Sequence, residues 1–415
     1  MISLRRYVKT KIDELKSPDH VPELDGLRGL AIFLVLIQHT WGWIGSPTFK
    51  VDRLNLDFTF LFSYARVGLS LFFVLSGYLL FSQYLLRHFQ GLPQPSYFAF
   101  MKRRFLRILP AYYLMLVMLF LFKPFWHPYI GFSEEVGLNN FLTHFFFIHN
   151  WTPYVNSVPA VWSLAPEMQF YFLMPAFVFF LLMGRSLHGK VLLSWLGTAL
   201  LAGWMALMVK IGAWNAEWVT FSLFYHLSEF FAGFVAAVVI FSLRTSELKN
   251  WISKICCMMS AVLIVFLMYL GYARSKGQNP FGDFVHTLIG NYLWYPLVGY
   301  SFALLVIGVV ISEGLAKRCF SNTGWVVLGI LSYGIFLWHG NIGHALLLFE
   351  KINLFKTPAL QFIFFFLVMT LLSLAVGYAS YRFVERPFLK RKSKASIKGS
   401  INSPRMSPEP ALEKL

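Results

Sequence analysis

Apolar stretches long enough to cross a bilayer recur ten times along the chain, separated by short polar connections. The expected spans are approximately 27–44, 64–86, 105–125, 162–184, 191–211, 220–242, 256–273, 294–312, 325–348 and 359–383. In lipid a helix satisfies its own backbone, so the pattern predicts an all-α, polytopic membrane protein of about ten transmembrane helices. An even number of crossings puts both termini on one side of the membrane.

Composition agrees with that class. Of 415 residues 57% are hydrophobic and 13% charged, against about a quarter charged in an ordinary soluble domain. Mean hydropathy is +0.60. The net charge of +17 is informative about topology. One alternating set of connections, with the two ends of the chain, holds 26 of the 36 Lys and Arg; the other set holds 9, and Arg28 is the remaining one. The positive-inside rule makes the richer side, and both termini, cytoplasmic. Spread over several loops flanking apolar spans, the charge does not point to nucleic acid.

Residues 1–24 read as a basic cytoplasmic tail leading into an uncleaved signal anchor. Residues 25–388 read as the transmembrane domain, and 389–415 as a disordered basic cytoplasmic tail attracted to anionic lipid. Cys256, Cys257 and Cys319 form no disulfide framework.

The chemistry to look for lies in polar residues at membrane depth. Arg28 and His39 share the first span, eleven helical steps or about 16 Å apart. A cation near one face and a base deeper in the same helix suit a ligand running along the membrane normal. Glu167, behind Pro166 at the start of the fourth span, is expected about one turn below the outer boundary. At that depth it pairs with His39, or forms a structural contact between helices. Arg104 and Arg107 are three apart, hence on one helical face. Their forked donors match a phosphorylated group, although a positive-inside anchor is the commoner reason for such a pair.

Gly68, Ser70, Ser76 and Gly77 put small residues in the second span, where either packing or a thin ligand would use them. His226 and Glu229 are spaced to pair, and Ser332, Tyr333, Trp338, His339, Asn341 and His344 form a polar cluster in the ninth span. The outer segment 123–161, with Trp126, His127, His144, His149, Asn150, Trp151 and Tyr154, reads either as a binding segment or as an interfacial aromatic belt. Its apolar run Phe141–Ile148 either lies flat or re-enters. Zinc-protease, P-loop and Rossmann signatures are absent, and no metal site is expected.

Six stretches, in order, resemble the membrane-bound acyltransferase family 3, whose members O-acylate bacterial surface glycans and some small molecules. They are Leu24-Asp25-Gly26-Leu27-Arg28-Gly29-Leu30-Ala31 through His39, Phe72-Phe73-Val74-Leu75-Ser76-Gly77-Tyr78, and Arg104-Phe105-Leu106-Arg107-Ile108-Leu109-Pro110. Trp162-Ser163-Leu164 through Glu167-Met168-Gln169-Phe170-Tyr171, Ser332-Tyr333 through Leu337-Trp338-His339, and Phe383-Val384-Glu385-Arg386-Pro387 complete the set. Ala165-Pro166 departs from the family's more common Ser-Val, and Met168 stands where a second Glu is common.

The resemblance implies transfer of an acyl group, usually acetyl, from cytoplasmic acyl-CoA to a hydroxyl on the outer side. Acetyl-CoA would be a co-substrate. The acceptor would be a glycan or glycolipid of the cell envelope, such as a polysaccharide or lipopolysaccharide O-antigen, and the location a bacterial inner membrane. Arg28 and His39 match the family's Arg-x(10)-His motif, Arg104 and Arg107 its Arg-x-x-Arg motif, and Gly68, Phe73 and Gly77 its Gly-x(4)-Phe-x(3)-Gly motif. His39 would be the general base, with Glu167 orienting it or binding the acceptor. The three arginines would hold the CoA phosphates, and Gly68, Phe73 and Gly77 would flank the pantetheine arm. Residues 123–161 would shape the acceptor pocket. A transporter or flippase of polar or glycan precursors is the alternative from another class, and a membrane scaffold the blandest. No oligomeric state follows from the sequence.

Overall fold

The computed structural model describes residues 21–51, 56–121, 137–152, 158, 160–183, 186–212, 221–243, 245–278, 282, 293–346, 355 and 357–389. The two expected tails lie outside these residues apart from their innermost positions. So do Trp126, His127 and Tyr154.

Helix α1 (Pro22–Trp43) opens with proline in its first turn and with Glu23 and Asp25 against the helix N-terminus. It closes before Gly45, at φ 82°. A two-residue antiparallel ladder, β1 (Lys50–Val51) with β2 (Leu56–Asp57), and the short α2 (Phe60–Ser63) lead to α3 (Val67–Phe89). Next come α4 (Tyr97–Leu121), the short α5 (Leu138–Phe145) with a 3-10 turn at His149–Trp151, and α6 (Leu164–Leu182). The series continues through α7 (Leu187–Lys210), α8 (Leu223–Leu243), α9 (Lys249–Ser275) and α10 (Trp294–Ile311). It ends with the short α11 (Leu315–Phe320), α12 (Thr323–Leu346) and α13 (Pro358–Ser380), which runs on through a π-turn, Tyr381–Glu385.

The ten long helices among the described residues coincide with the ten expected spans, and eight of them are long and apolar enough to cross a membrane, α1 and α7 being the others. The protein is all-α and polytopic. Helices extend past their apolar runs at the ends: α4 begins at Tyr97, so Lys102, Arg103, Arg104 and Arg107 are all helical.

The outside of the bundle is apolar. On α13, Leu360, Ile363, Phe364, Leu367 and Leu371 are exposed at helical spacing, and on α9 Val262, Val265 and Phe266 are. A surface of this kind is stable only against lipid. Between helices, glycines permit contact of backbone on backbone. A Cβ at Gly29 would fall on the Trp325 carbonyl, and one at Gly329 on that of Asp25, locking α1 to α12. Gly77 against Phe230 and Gly233 against Val74 do the same for α3 and α8.

Polar contacts define two ends. At one, Lys317 pairs with Glu23 at 3.4 Å and Lys249 with Glu313 at 2.6 Å. At the other, Tyr272 donates to Asp57 at 2.8 Å and the Trp43 ring packs over Gly343. The first end also carries Arg87, Lys102, Arg103 and Arg318, and is called the basic end below.

Candidate active site

A cavity of about 80 Å³ opens among α1, α3, α4, α6 and α12. Arg28, Arg104, Arg107 and Glu167 are the charged residues in its lining, with Phe72, Phe73, Ser76, Tyr171, Tyr333 and Phe336 among the remainder. Three guanidiniums therefore face one carboxylate. Arg28 is paired along its own helix with Asp25 at 3.0 Å. Arg104 lies over the rings of Phe100 and Tyr171, 5.5 Å from each centroid, and its Nε is buried with no hydrogen-bond partner. Arg107 is within electrostatic reach of Arg28 and of Glu385 on the π-turn. Glu385 accepts a hydrogen bond from Ser380 at 3.1 Å.

Glu167 accepts hydrogen bonds from Ser76, at 3.2 Å, and from Tyr171. Ser76 is nine residues into α3, about 14 Å from its start. The expected depth of one turn below the surface is thus too shallow. The chain is already enclosed before α6 begins, with Val158, Val161 and Ser163 all buried, so the first turn of α6 starts well inside the bundle. This depth brings Glu167 to the arginines instead of to His39.

His39 has a different partner. Its Nδ1 lies 3.1 Å from His339 Nε2, and His339 Nδ1 lies 2.7 Å from the Phe336 carbonyl oxygen. Trp43 stacks on the His39 ring at 5.3 Å and 22°. The pair sits beyond the cavity, with Phe336 between: its ring is in the lining and 5.5 Å from that of His339. The sequence shows His339 as a polar residue in the ninth span but gives no register that would join it to His39.

Of the small residues in the second span, Gly68 faces the α1 backbone at Ala31 and Val35, and Gly77 the α8 backbone at Phe230. Neither lines the cavity, because both are consumed by helix contact. Phe73 does line it, with its ring 5.0 Å from His226. His226 and Glu229 pair at 2.6 Å, fully buried.

The segment 137–152 is fastened, with its polar side inward. Tyr112 and Tyr113 donate to the carbonyls of His144 and Phe145 at 3.0 and 3.1 Å. Gln169 donates to Phe147 and Asn150, at 3.0 and 2.9 Å. His144 and His149 stack 4.1 Å apart with no exposure, while Leu138, Leu142 and Phe146 are exposed. An apolar outer face and a polar inner one belong at a lipid interface. Its histidines therefore face away from any acceptor approaching from solvent. Among the described residues no group of His, Cys, Asp and Glu is arranged to hold a metal ion.

A bundle of lipid-facing helices around a cationic cavity, with an imidazole pair beyond it, is suited to handling an anionic ligand next to a base. Comparison with known proteins gives that arrangement a family. Residues 21–381 match the model of an acyltransferase domain, and the chain belongs to that acyltransferase family. It is 26% identical to the peptidoglycan O-acetyltransferase OatA of Listeria monocytogenes over 394 residues, 90% of this chain and 56% of that protein. It is 23% identical to the O-acetyltransferase OatA of Staphylococcus aureus strain NCTC 8325 over 398 residues, 93% of this chain and 60% of that protein. The chain thus spans somewhat over half the length of these relatives. No solved structure matches it.

Proposed function

We propose that the protein is a bacterial membrane O-acetyltransferase that takes acetyl from acetyl-CoA at the basic end and delivers it to a hydroxyl at the other. The basic end is cytoplasmic by its charge, in the inner membrane of the cell. The observation that carries the donor assignment is the excess of cation in the cavity. Three arginines face one carboxylate, and the buried Arg104 Nε has no partner. A guanidinium so placed calls for an anion with several acceptor oxygens, and a phosphate group supplies them. Arg28, Arg104 and Arg107 therefore hold the phosphorylated part of the donor.

His39 is the general base. It lies about 16 Å along α1 from Arg28, a reach suited to an extended pantetheine arm. Removing the proton from an acceptor hydroxyl raises its nucleophilicity towards the thioester carbonyl. The acceptor is an envelope glycan. Peptidoglycan is the acceptor named for one relative, and a surface polysaccharide offers the same chemistry.

The test is turnover of radiolabelled acetyl-CoA by the full-length protein in lipid. Arg104→Ala with Arg107→Ala should raise KM for acetyl-CoA by at least about tenfold, the loss of one or two charged hydrogen bonds. The thermal midpoint should be unchanged. An unaltered KM would remove the arginines from donor binding.

A further inference from the structure

We propose that His339 is a positioning residue for His39, fixing it in the tautomer whose Nε2 lone pair is available to the acceptor hydroxyl. This rests on His39 being the general base. A neutral imidazole has one N–H and one lone pair, and which nitrogen carries which is set by its partners. The Phe336 carbonyl can only accept, so His339 Nδ1, 2.7 Å away, carries the hydrogen and its Nε2 the lone pair. That lone pair meets His39 Nδ1 at 3.1 Å, so His39 Nδ1 donates and its Nε2 is left unprotonated. The Val35 carbonyl, one turn back on α1, also acts on the His39 ring and, like the His339 lone pair, can only accept a hydrogen. The Phe336 carbonyl fixes the His339 tautomer, and His339 in turn holds the hydrogen on His39 Nδ1.

Three features separate this from ordinary helix packing. His339 is completely buried with both ring nitrogens occupied, so it does not itself meet an acceptor, whereas His39 is partly exposed. Trp43 covers a face of the His39 ring and is held over Gly343, so the ring is limited in rotation as well as in tautomer. The titratable groups acting on His39 are His339 and His344, both on α12. Among the described residues no carboxylate competes for its hydrogen.

In the transfer step, the proton on the acceptor hydroxyl moves to His39 Nε2 as the oxygen–acyl-carbon bond forms. The carbon–sulfur bond then breaks and the CoA thiolate takes that proton. His39 Nδ1–H stays on His339 throughout, so the imidazolium is formed against a lone pair already in place.

The experiment combines ¹⁵N-histidine NMR with acetyl transfer by the full-length protein in nanodiscs, the His39 signal being assigned with His39→Ala. In the wild type, His39 should show an unprotonated Nε2 and a protonated Nδ1. His339→Ala should mix the tautomers and lower kcat about 10- to 100-fold, with KM for acetyl-CoA unchanged. His339→Gln, whose amide oxygen accepts from Nδ1–H, should recover much of the rate. A wild-type His39 protonated on Nε2 would overturn the proposal, while turnover by His39→Ala tests the base assignment separately. Equal rates for His339→Gln and His339→Ala would overturn it too. Full turnover by His39→Ala would instead remove the general base, and this inference with it.

Discussion

Charge balance within the cavity makes Glu167 the informative single residue. It is the one acidic side chain in the described lining, held by Ser76 and Tyr171 with Arg104 over the same tyrosine. Glu167→Gln preserves the shape but removes the one carboxylate from a lining that keeps its three cations. If the cavity holds a phosphorylated donor, that donor should bind more tightly by about 2- to 10-fold, or roughly 0.4–1.4 kcal/mol. Equilibrium binding of CoA measures it, and weaker binding would mean that the carboxylate contacts the donor directly. Much of this residue-scale picture is legible in sequence. A spacing of three puts Arg104 and Arg107 on one face, and both do face the cavity. Glu167 is misjudged because its depth depends on where the chain before α6 enters the bundle, which tertiary packing sets and periodicity does not. The His39–His339 contact joins residues 300 positions apart. Only the packing of α1 on α12 creates it.

Among the elements, glycine packing and inverted amphipathicity are the features that hydropathy leaves ambiguous. Gly68 and Gly77 read equally well as ligand-facing or helix-facing, since a missing Cβ serves both; the backbones of α1 and α8 occupy the space. The segment α5 through His149 carries a testable pH dependence. Burial pushes His144 down to about 4, and burial with the neighbouring His144 pushes His149 well down also. Both are neutral in the folded protein and take up protons on unfolding, from their ordinary value near 6.5. Between about pH 6.5 and 4 the unfolded segment binds more protons, so its stability is complete above that window and falls as pH drops through it. The slope is about 1.4 kcal/mol per pH unit for each histidine. Hydrogen-exchange protection factors of residues 138–151, corrected for the pH dependence of intrinsic exchange, should fall on acidification, and His144→Gln should flatten the response. Protection factors that do not change across that window would mean that these rings are already charged or solvated.

For the whole molecule, hydropathy locates the ten long helices among the described residues, eight of them as apolar runs that lipid demands and few other patterns supply. What it leaves open is how the ends associate, and the ion pairs supply this: Lys317 with Glu23 joins α11 to α1, and Lys249 with Glu313 joins α9 to the α10–α11 connection, at one end. The proposed orientation puts that end in the cytoplasm, where the donor is. Single cysteines introduced in a background lacking Cys256, Cys257 and Cys319 read it directly. Gly91→Cys and Ser246→Cys, in the α3–α4 and α8–α9 connections, should react with a membrane-impermeant maleimide only after the membrane is opened. Ser46→Cys and Gly277→Cys, beyond the opposite ends of α1 and α9, should react in intact cells. The reverse pattern would put the three arginines near the outer face, away from the cytoplasmic CoA pool. An acyl-CoA donor would then be untenable even with every contact in the cavity unchanged.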